Sequence, residues 1–157
     1  MDKREFSRRV LAMENRLYRV SCGLLREHQD RLDAVQEAIV RAWEKADGLR
    51  KAEYFETWLT RILINVCYDT LRAHSRIVPL EDAAEQPAPE GANRELRDAI
   101  ERLNPDMRLA VVLHYMEGYK LREIAEILEV PIGTVKTRLL RAKRALREQL
   151  EEGVERA

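Results

Sequence analysis

Along this chain the apolar positions recur in steps of three and four almost from the first residue. Phe6, Val10, Met13, Leu17, Val20 and Leu24 share one stripe, which predicts a long amphipathic first helix. Leu32, Val35, Ile39, Ala42 or Trp43, and Ala46 predict a second helix, with Asp30 as its N-cap, Asp33 in its first turn and Gly48 at its end. Its polar remainder is Asp33, Gln36, Glu37, Arg41 and Glu44, a face that pattern alone reads as solvated. A third helix is expected from about Glu53 to Ser75, burying Phe55, Leu59, Ile62, Val66 and Leu71. Its other side alternates aromatic and basic groups: Trp58, Arg61, Asn65, Tyr68 or Asp69, and Arg72. Stacking surfaces beside positive charge suit single-stranded nucleic acid. The same spacing suits core aromatics with surface arginines, and periodicity does not separate the two.

The pattern stops at Ile77 and resumes at Asn93. Between them, IVPLEDAAEQPAPEGA holds three prolines, four acidic residues and no basic one, which reads as an extended linker. Beyond it, Asn93 caps a helix carrying Leu96, Ile100 and Leu103, and Asn104-Pro105 starts another that runs through Tyr115 to Gly118. Leu121, Ile124, Ala125 and Leu128 make a short apolar stripe; Pro131 cannot continue that helix and suits the first turn of the next. Val135, Leu139, Ala142 and Leu146 then form the buried side of a last helix. The expected fold is all-α: two small helical domains, 1–76 and 93–157, joined by a flexible linker at 77–92. The C-terminal domain has four helices and contains a helix-turn-helix.

Charge decides what the last helix is for. Its free faces hold Lys136, Arg138, Arg141, Lys143, Arg144 and Arg147, with no acidic residue between Thr134 and Arg147. On the second helix of a helix-turn-helix, this points to a DNA major groove, where arginine and lysine reach guanine edges or phosphates and Thr137 can donate to either. A solvated basic helix in an ordinary bundle is the bland reading. Leu140 lies off the buried stripe, and serves either a thymine methyl or peripheral packing. The 157 residues carry no net charge, so affinity for DNA must come from where the charges sit.

Other chemistry is sparse. Cys22 and Cys67 lack the paired spacing of a zinc site and read as buried thiols, and His28, His74 and His114 are isolated. No catalytic constellation, metal or cofactor is expected, so the chain does not read as an enzyme. The absence of a long apolar run and the polar start MDKREF predict a soluble cytoplasmic protein without membrane contact of its own.

Two stretches together resemble a known family. LREIAEILEVP from Leu121 and GTVKTRLLRAKRAL from Gly133 resemble the fourth conserved region of bacterial sigma factors. LDAVQEAIVRAW from Leu32 and TWLTRILINVCYDTLR from Thr57 resemble the second region, in the same order. With nothing similar to the first or third regions, the chain is similar to the extracytoplasmic-function group of the sigma-70 family. The resemblance implies an initiation subunit that binds core RNA polymerase and directs it to promoter DNA. Leu32, Asp33, Gln36 and Glu37 would grip the clamp helices of the largest subunit, and the C-terminal domain would meet the flap of the second-largest. The helix from Thr57 would capture the melted minus-ten element, with Asn65 reading a base, Phe55 near the pocket for an extruded base, Trp58 on the stacking face, and Arg61 and Arg72 near the backbone. Lys136, Thr137, Arg138, Leu140, Arg141 and Arg144 would face the minus-thirty-five element, and Tyr119, Lys120 and Arg122 nearby phosphates. A cognate anti-sigma factor is the further implied partner. Two rivals remain: a stand-alone regulator would bind duplex sites tightly by itself, commonly as a dimer, and an enzyme would need a catalytic cluster that is not visible.

Overall fold

The computed structural model of the chain describes residues 1–75 and 94–155, so the acidic linker and the Asn93 cap lie outside the described residues. Seven α-helices and no strand occur among the described residues, divided between two compact units. The first holds α1 (Lys3–Ser21), α2 (His28–Glu44) and α3 (Phe55–Ser75). The second holds α4 (Arg94–Glu101), α5 (Pro105–Val111), α7 (Ile132–Glu155) and most of α6 (Leu121–Leu128).

In the first unit α1 is capped by Asp2, whose carboxylate accepts the Glu5 N–H at 2.8 Å. All six predicted apolar positions, Phe6 through Leu24, are buried. The second helix departs from expectation. It begins at His28 with Glu27 in the cap position, so Asp30 is not the cap but a first-turn carboxylate at the positive end of the helix dipole. Asp33 falls one turn later, where its Oδ1 accepts from Gln29 Nε2 at 2.8 Å. The buried line is Ala34, Val35, Ala38 and Ala42. Leu32 and Val40 point outward, at 38% and 52% exposure, while Trp43, 46% exposed, lays one side of its ring against buried Phe6, with ring centres 5.0 Å apart. The helix is rotated this way because it packs along α3, and alanines allow two backbones to come close where larger side chains would hold them apart. Gly48 closes a short 3-10 turn, Ala46–Gly48, instead of ending α2.

α3 packs against both α1 and α2 and therefore buries a wide arc. Phe55, Leu59, Val66 and the Cys67 thiol are buried as predicted, but so are Thr60, Leu63 and Ile64, while Ile62 and Leu71 are only half-buried, as is Cys22 at the end of α1. Burial pushes the Cys67 thiol up to about 12, with the neighbouring Cys22 thiol adding to the effect. Above about pH 9 the unfolded thiol ionises and the folded one does not, so the unfolded state binds fewer protons and stability falls as pH rises. Both tryptophans, Trp43 and Trp58, lie in the first unit, so their fluorescence follows its unfolding. Urea titrations should show wild type losing roughly 2 kcal/mol more than Cys67→Ala between pH 9 and 11. Parallel pH profiles for the two proteins would refute this.

In the second unit Asn104 caps α5, accepting the Met107 N–H at 2.9 Å, with Pro105 in the first turn. The helix continues as a π-helical turn over Val112–Met116 and ends at Gly118, whose φ of +74° suits a residue without a Cβ. Buried Arg108 donates from Nη1 to the carbonyls of Glu101 (3.0 Å) and Leu103 (3.3 Å), tying α5 to the corner that precedes it. In α4 the outward Leu96 is replaced in the core by Ala99, beside Ile100 and Leu103. In α6 Ile124 and Ile127 are buried, whereas Leu121, Ala125 and Leu128 are half-buried.

The α6–α7 turn is a Schellman motif. Val130 N–H bonds to Ala125 O at 3.1 Å, Glu129 N–H bonds to Glu126 O at 3.3 Å, and Glu129 takes the left-handed conformation at φ +57°. Pro131 precedes the first residue of α7 and accepts the Thr134 and Val135 N–H groups on its carbonyl. A β-carbon in that left-handed position costs about 1 kcal/mol that glycine does not incur. Glu129→Gly should therefore stabilise the α6–α7 turn by roughly 0.5–1 kcal/mol, read as slower amide exchange at the start of α7. Faster exchange would contradict it.

Candidate nucleic-acid interface

α7 presents a two-sided surface. Val135, Leu139 and Ala142 are buried as predicted, whereas Leu146 is only half-buried. Lys136, Thr137, Arg141, Lys143, Arg144 and Arg147 are exposed, and Arg138 is half-buried at the edge. Leu140 is 53% exposed, which decides against packing as its role. The Thr137 hydroxyl donates to Gly133 O at 2.9 Å, so it offers lone pairs and a methyl group outward in place of a proton. Lys143 Nζ sits 5.7 Å from the centre of the exposed Tyr115 ring, which pins that cation beside the π-helical turn.

Near the start of α6, Lys120 and Arg122 are exposed. The Lys120 N–H donates to Glu123 Oε1 at 3.0 Å, half of a capping box that orders this end. Tyr119 does not join them. It is 4% exposed, its N–H bonded to Leu113 O at 3.0 Å, so the ring expected near phosphate is a core residue.

On α3 the exposed residues Arg61, Asn65, Asp69 and Arg72 share one side with half-buried Trp58 and Tyr68. Phe55 does not reach this surface: it is 2% exposed, with its ring 5.9 Å from Phe6 and 5.8 Å from Trp58. It supports Trp58 from beneath. The aromatic that does stand in the open is its neighbour Tyr54, 52% exposed, with Lys51 Nζ 6.0 Å from its ring centre. The helical stripe already assigned Phe55 to the core, and that signal separates the two adjacent aromatics.

The outward side of α2 carries Asp33, Gln36 and Glu37 between Leu32, Val40 and Trp43. Glu37 Oε1 accepts from Arg41 Nε at 3.1 Å, and Arg41 Nη1 donates to Asp69 Oδ2, also at 3.1 Å. These bonds hold the Asp69 carboxyl below the usual carboxylate range, through Arg41 first and Arg72 second, and raise the Arg41 guanidinium. Among the described residues no group of three His, Cys, Asp or Glu side chains is placed to hold a metal, and no helix is long and apolar enough to cross a membrane.

Comparison with known proteins accounts for the same two segments. Residues 10–77 match the family model for Sigma-70 region 2, and residues 93–146 that for Sigma-70, region 4. The ECF RNA polymerase sigma-E factor of Haemophilus influenzae is 30% identical over 96% of this chain and 89% of its own length. The RNA polymerase sigma-H factor of Pseudomonas aeruginosa is 31% identical over 96% of this chain and 88% of its own. Among solved structures, the sigma factor RpoE of Bartonella quintana in complex with the anti-sigma factor NepR superposes with a TM-score of 0.81 at 29% identity, covering 94% of this chain and 97% of that one.

Proposed function

Because this chain belongs to the sigma-70 family, as an RNA polymerase sigma factor of extracytoplasmic-function type that directs transcription initiation, we propose that its exposed faces divide the steps of initiation. The outward side of α2, with Leu32, Asp33, Gln36 and Glu37, docks on the clamp helices of the polymerase largest subunit, and Val40 and Trp43 extend that surface. The α3 side, with Trp58, Arg61, Asn65 and Arg72, engages the melted minus-ten element on the non-template strand, and Tyr54 takes the stacking role that buried Phe55 cannot. Extruding a base costs a few kcal/mol of unstacking, which stacking on a preformed aromatic surface offsets. Lys136, Arg138, Leu140, Arg141 and Arg144 read the minus-thirty-five duplex, with Lys120 and Arg122 on phosphates. Residues 93–157 also meet the flap of the second-largest subunit. A cognate anti-sigma factor covers the polymerase-binding face, as the relative solved with one suggests, and the protein works in the cytoplasm.

The observation that carries this reading is the stretch 134–147 of α7, which holds no acidic residue and leaves a large apolar one, Leu140, 53% exposed among cations. A purely solvated helix has no use for that leucine, and a thymine methyl does. A stand-alone regulator would not need the apolar and acidic face of α2. The test is run-off transcription with purified core polymerase, paired with a pull-down of the chain by core enzyme. Asp33→Ala/Gln36→Ala should lose core binding by about tenfold or more on every template, if this pair lies among the few interface residues that cost more than about 1 kcal/mol on truncation. Tight, specific duplex binding by the chain alone, unaffected by core polymerase, would refute the proposal.

A further inference from the structure

The 3-10 turn Ala52–Tyr54 that leads into α3 buries none of its residues, so no apolar side chain of its own anchors it. Its closing bonds are local: the Tyr54 N–H bonds to Lys51 O at 3.1 Å, and the Phe55 N–H bonds to Ala52 O. A bond from another helix reaches the same carbonyl, because Arg9 of α1 donates to Ala52 O from Nη1 at 3.0 Å. The rest of that guanidinium is held as well. Nε and Nη2 both donate to Glu5 Oε1, at 3.2 and 3.0 Å, and the guanidinium carbon lies 5.7 Å from the centre of the Phe55 ring. Phe6, one turn before Arg9, meets the same ring edge-on with centres 5.9 Å apart. Ala52 and Phe55 are thus both fastened to α1, one by its carbonyl and the other by its buried ring. Tyr54 stands between them with its ring 52% exposed.

We propose that Arg9 is a positioning residue for minus-ten recognition, holding the turn before α3 so that the Tyr54 ring stands ready for a base of the non-template strand. The inference rests on the assignment of Tyr54 to that strand, and it adds the residue that prepares the ring. A side chain already in place gives up less freedom on stacking than one carried by a loose turn, so the benefit appears as affinity. Arginine suits the task because its planar fork serves two acceptors and a ring face together, whereas the point charge of lysine does not. Nε, Nη1 and Nη2 of Arg9 all have acceptors within the chain, and its side chain is 31% exposed. It is therefore assigned no phosphate, which separates it from the cations of α3.

The experiment is fluorescence anisotropy of the full chain with a fluorescein-labelled oligothymidylate of about 12 nucleotides, from about 50 to 200 mM salt. Tyr54→Ala should weaken binding about five- to hundredfold, the range for one lost base–aromatic stack. Arg9→Gln should weaken it by part of that, roughly two- to tenfold, as expected for ordering one side chain afresh. It should leave the log–log salt slope unchanged and cost nothing further once residue 54 is alanine. Glu5→Gln, a gentler change that only frees the fork, should give a smaller loss of the same kind. Arg16→Gln removes an equal charge from α1, at a side chain paired with Glu56 at 3.1 Å, and should not reproduce the loss. A salt slope shallower by about 0.7 in Arg9→Gln would mean a direct phosphate contact and would overturn the positioning role. A loss that persists when residue 54 is alanine, or that Arg16→Gln matches, would be a general charge or folding effect and would overturn it too. No loss in either Arg9→Gln or Glu5→Gln, while Tyr54→Ala still weakens binding, would overturn the inference and leave the Tyr54 assignment standing. Indifference to Tyr54→Ala would remove that assignment and the inference together.

Discussion

Lys136→Ala combined with Arg138→Ala should leave the chain folded and bound to core polymerase but cost about 2–6 kcal/mol of promoter selection, at roughly 1–3 kcal/mol for each lost base contact. Lys136 is exposed, and Arg138 is half-buried within the acid-free stretch, so neither truncation opens the core formed by Val135, Leu139 and Ala142. The loss should appear in run-off transcription as a fall of thirtyfold or more on genomic templates, with unchanged retention by core enzyme. Leu140→Ala offers a sharper comparison. Its side chain is 53% exposed, so stability should hardly change, while discrimination for a thymine methyl falls. If the double variant initiates at the same promoters with the same strength, α7 does not read the duplex.

Leu63→Ala should be among the more damaging truncations in the first unit, at about 3–4 kcal/mol. The side chain is wholly buried near the middle of α3, the helix that both α1 and α2 pack against, so its loss leaves a cavity that neighbours on two sides cannot fill. For a unit of this size that is a large share of the total stability. Trp43 and Trp58 report on this unit, so the tryptophan-fluorescence transition in urea should move to lower denaturant, with no change in α7 amide exchange. A shift below about 1 kcal/mol would mean that the site collapses around the missing atoms.

The periodicity exposed the architecture because most helices here have one buried side. α1 was legible residue by residue, and the start of α5 was announced by Asn104-Pro105. α2 was legible only in part: Val35 and Ala42 are buried as expected, but a pattern that weighs size also places Leu32 inside, whereas close packing along α3 selects Ala34 and Ala38. The extra burial on α3 and the core position of Tyr119 have the same origin: they depend on which neighbours surround a residue, and spacing within one helix does not contain that. The turn residue Glu129 was hidden for a different reason. Its left-handed φ is imposed by the bonds that close α6, at a residue that gives no local sign of it.

For the candidate site, the cations singled out on α7 lie at exposed or half-buried positions, whereas two rings expected near DNA belong to the core. Phe55 and Tyr119 are both buried. Tyr54, one residue before Phe55, shows how finely exposure is partitioned between neighbours at the start of a helix.

The alanine line on α2 fixes more than a spacing. With small groups locked against α3, the opposite edge of the helix becomes a ruler whose marks are Leu32, Gln36, Val40 and Trp43, spread over about 16 Å at 1.5 Å per residue. A docking protein must match three helical turns at once, so a short loop would engage one mark and miss the others. Enlarging Ala38 would tilt the whole scale, and errors of register would then grow toward its far end.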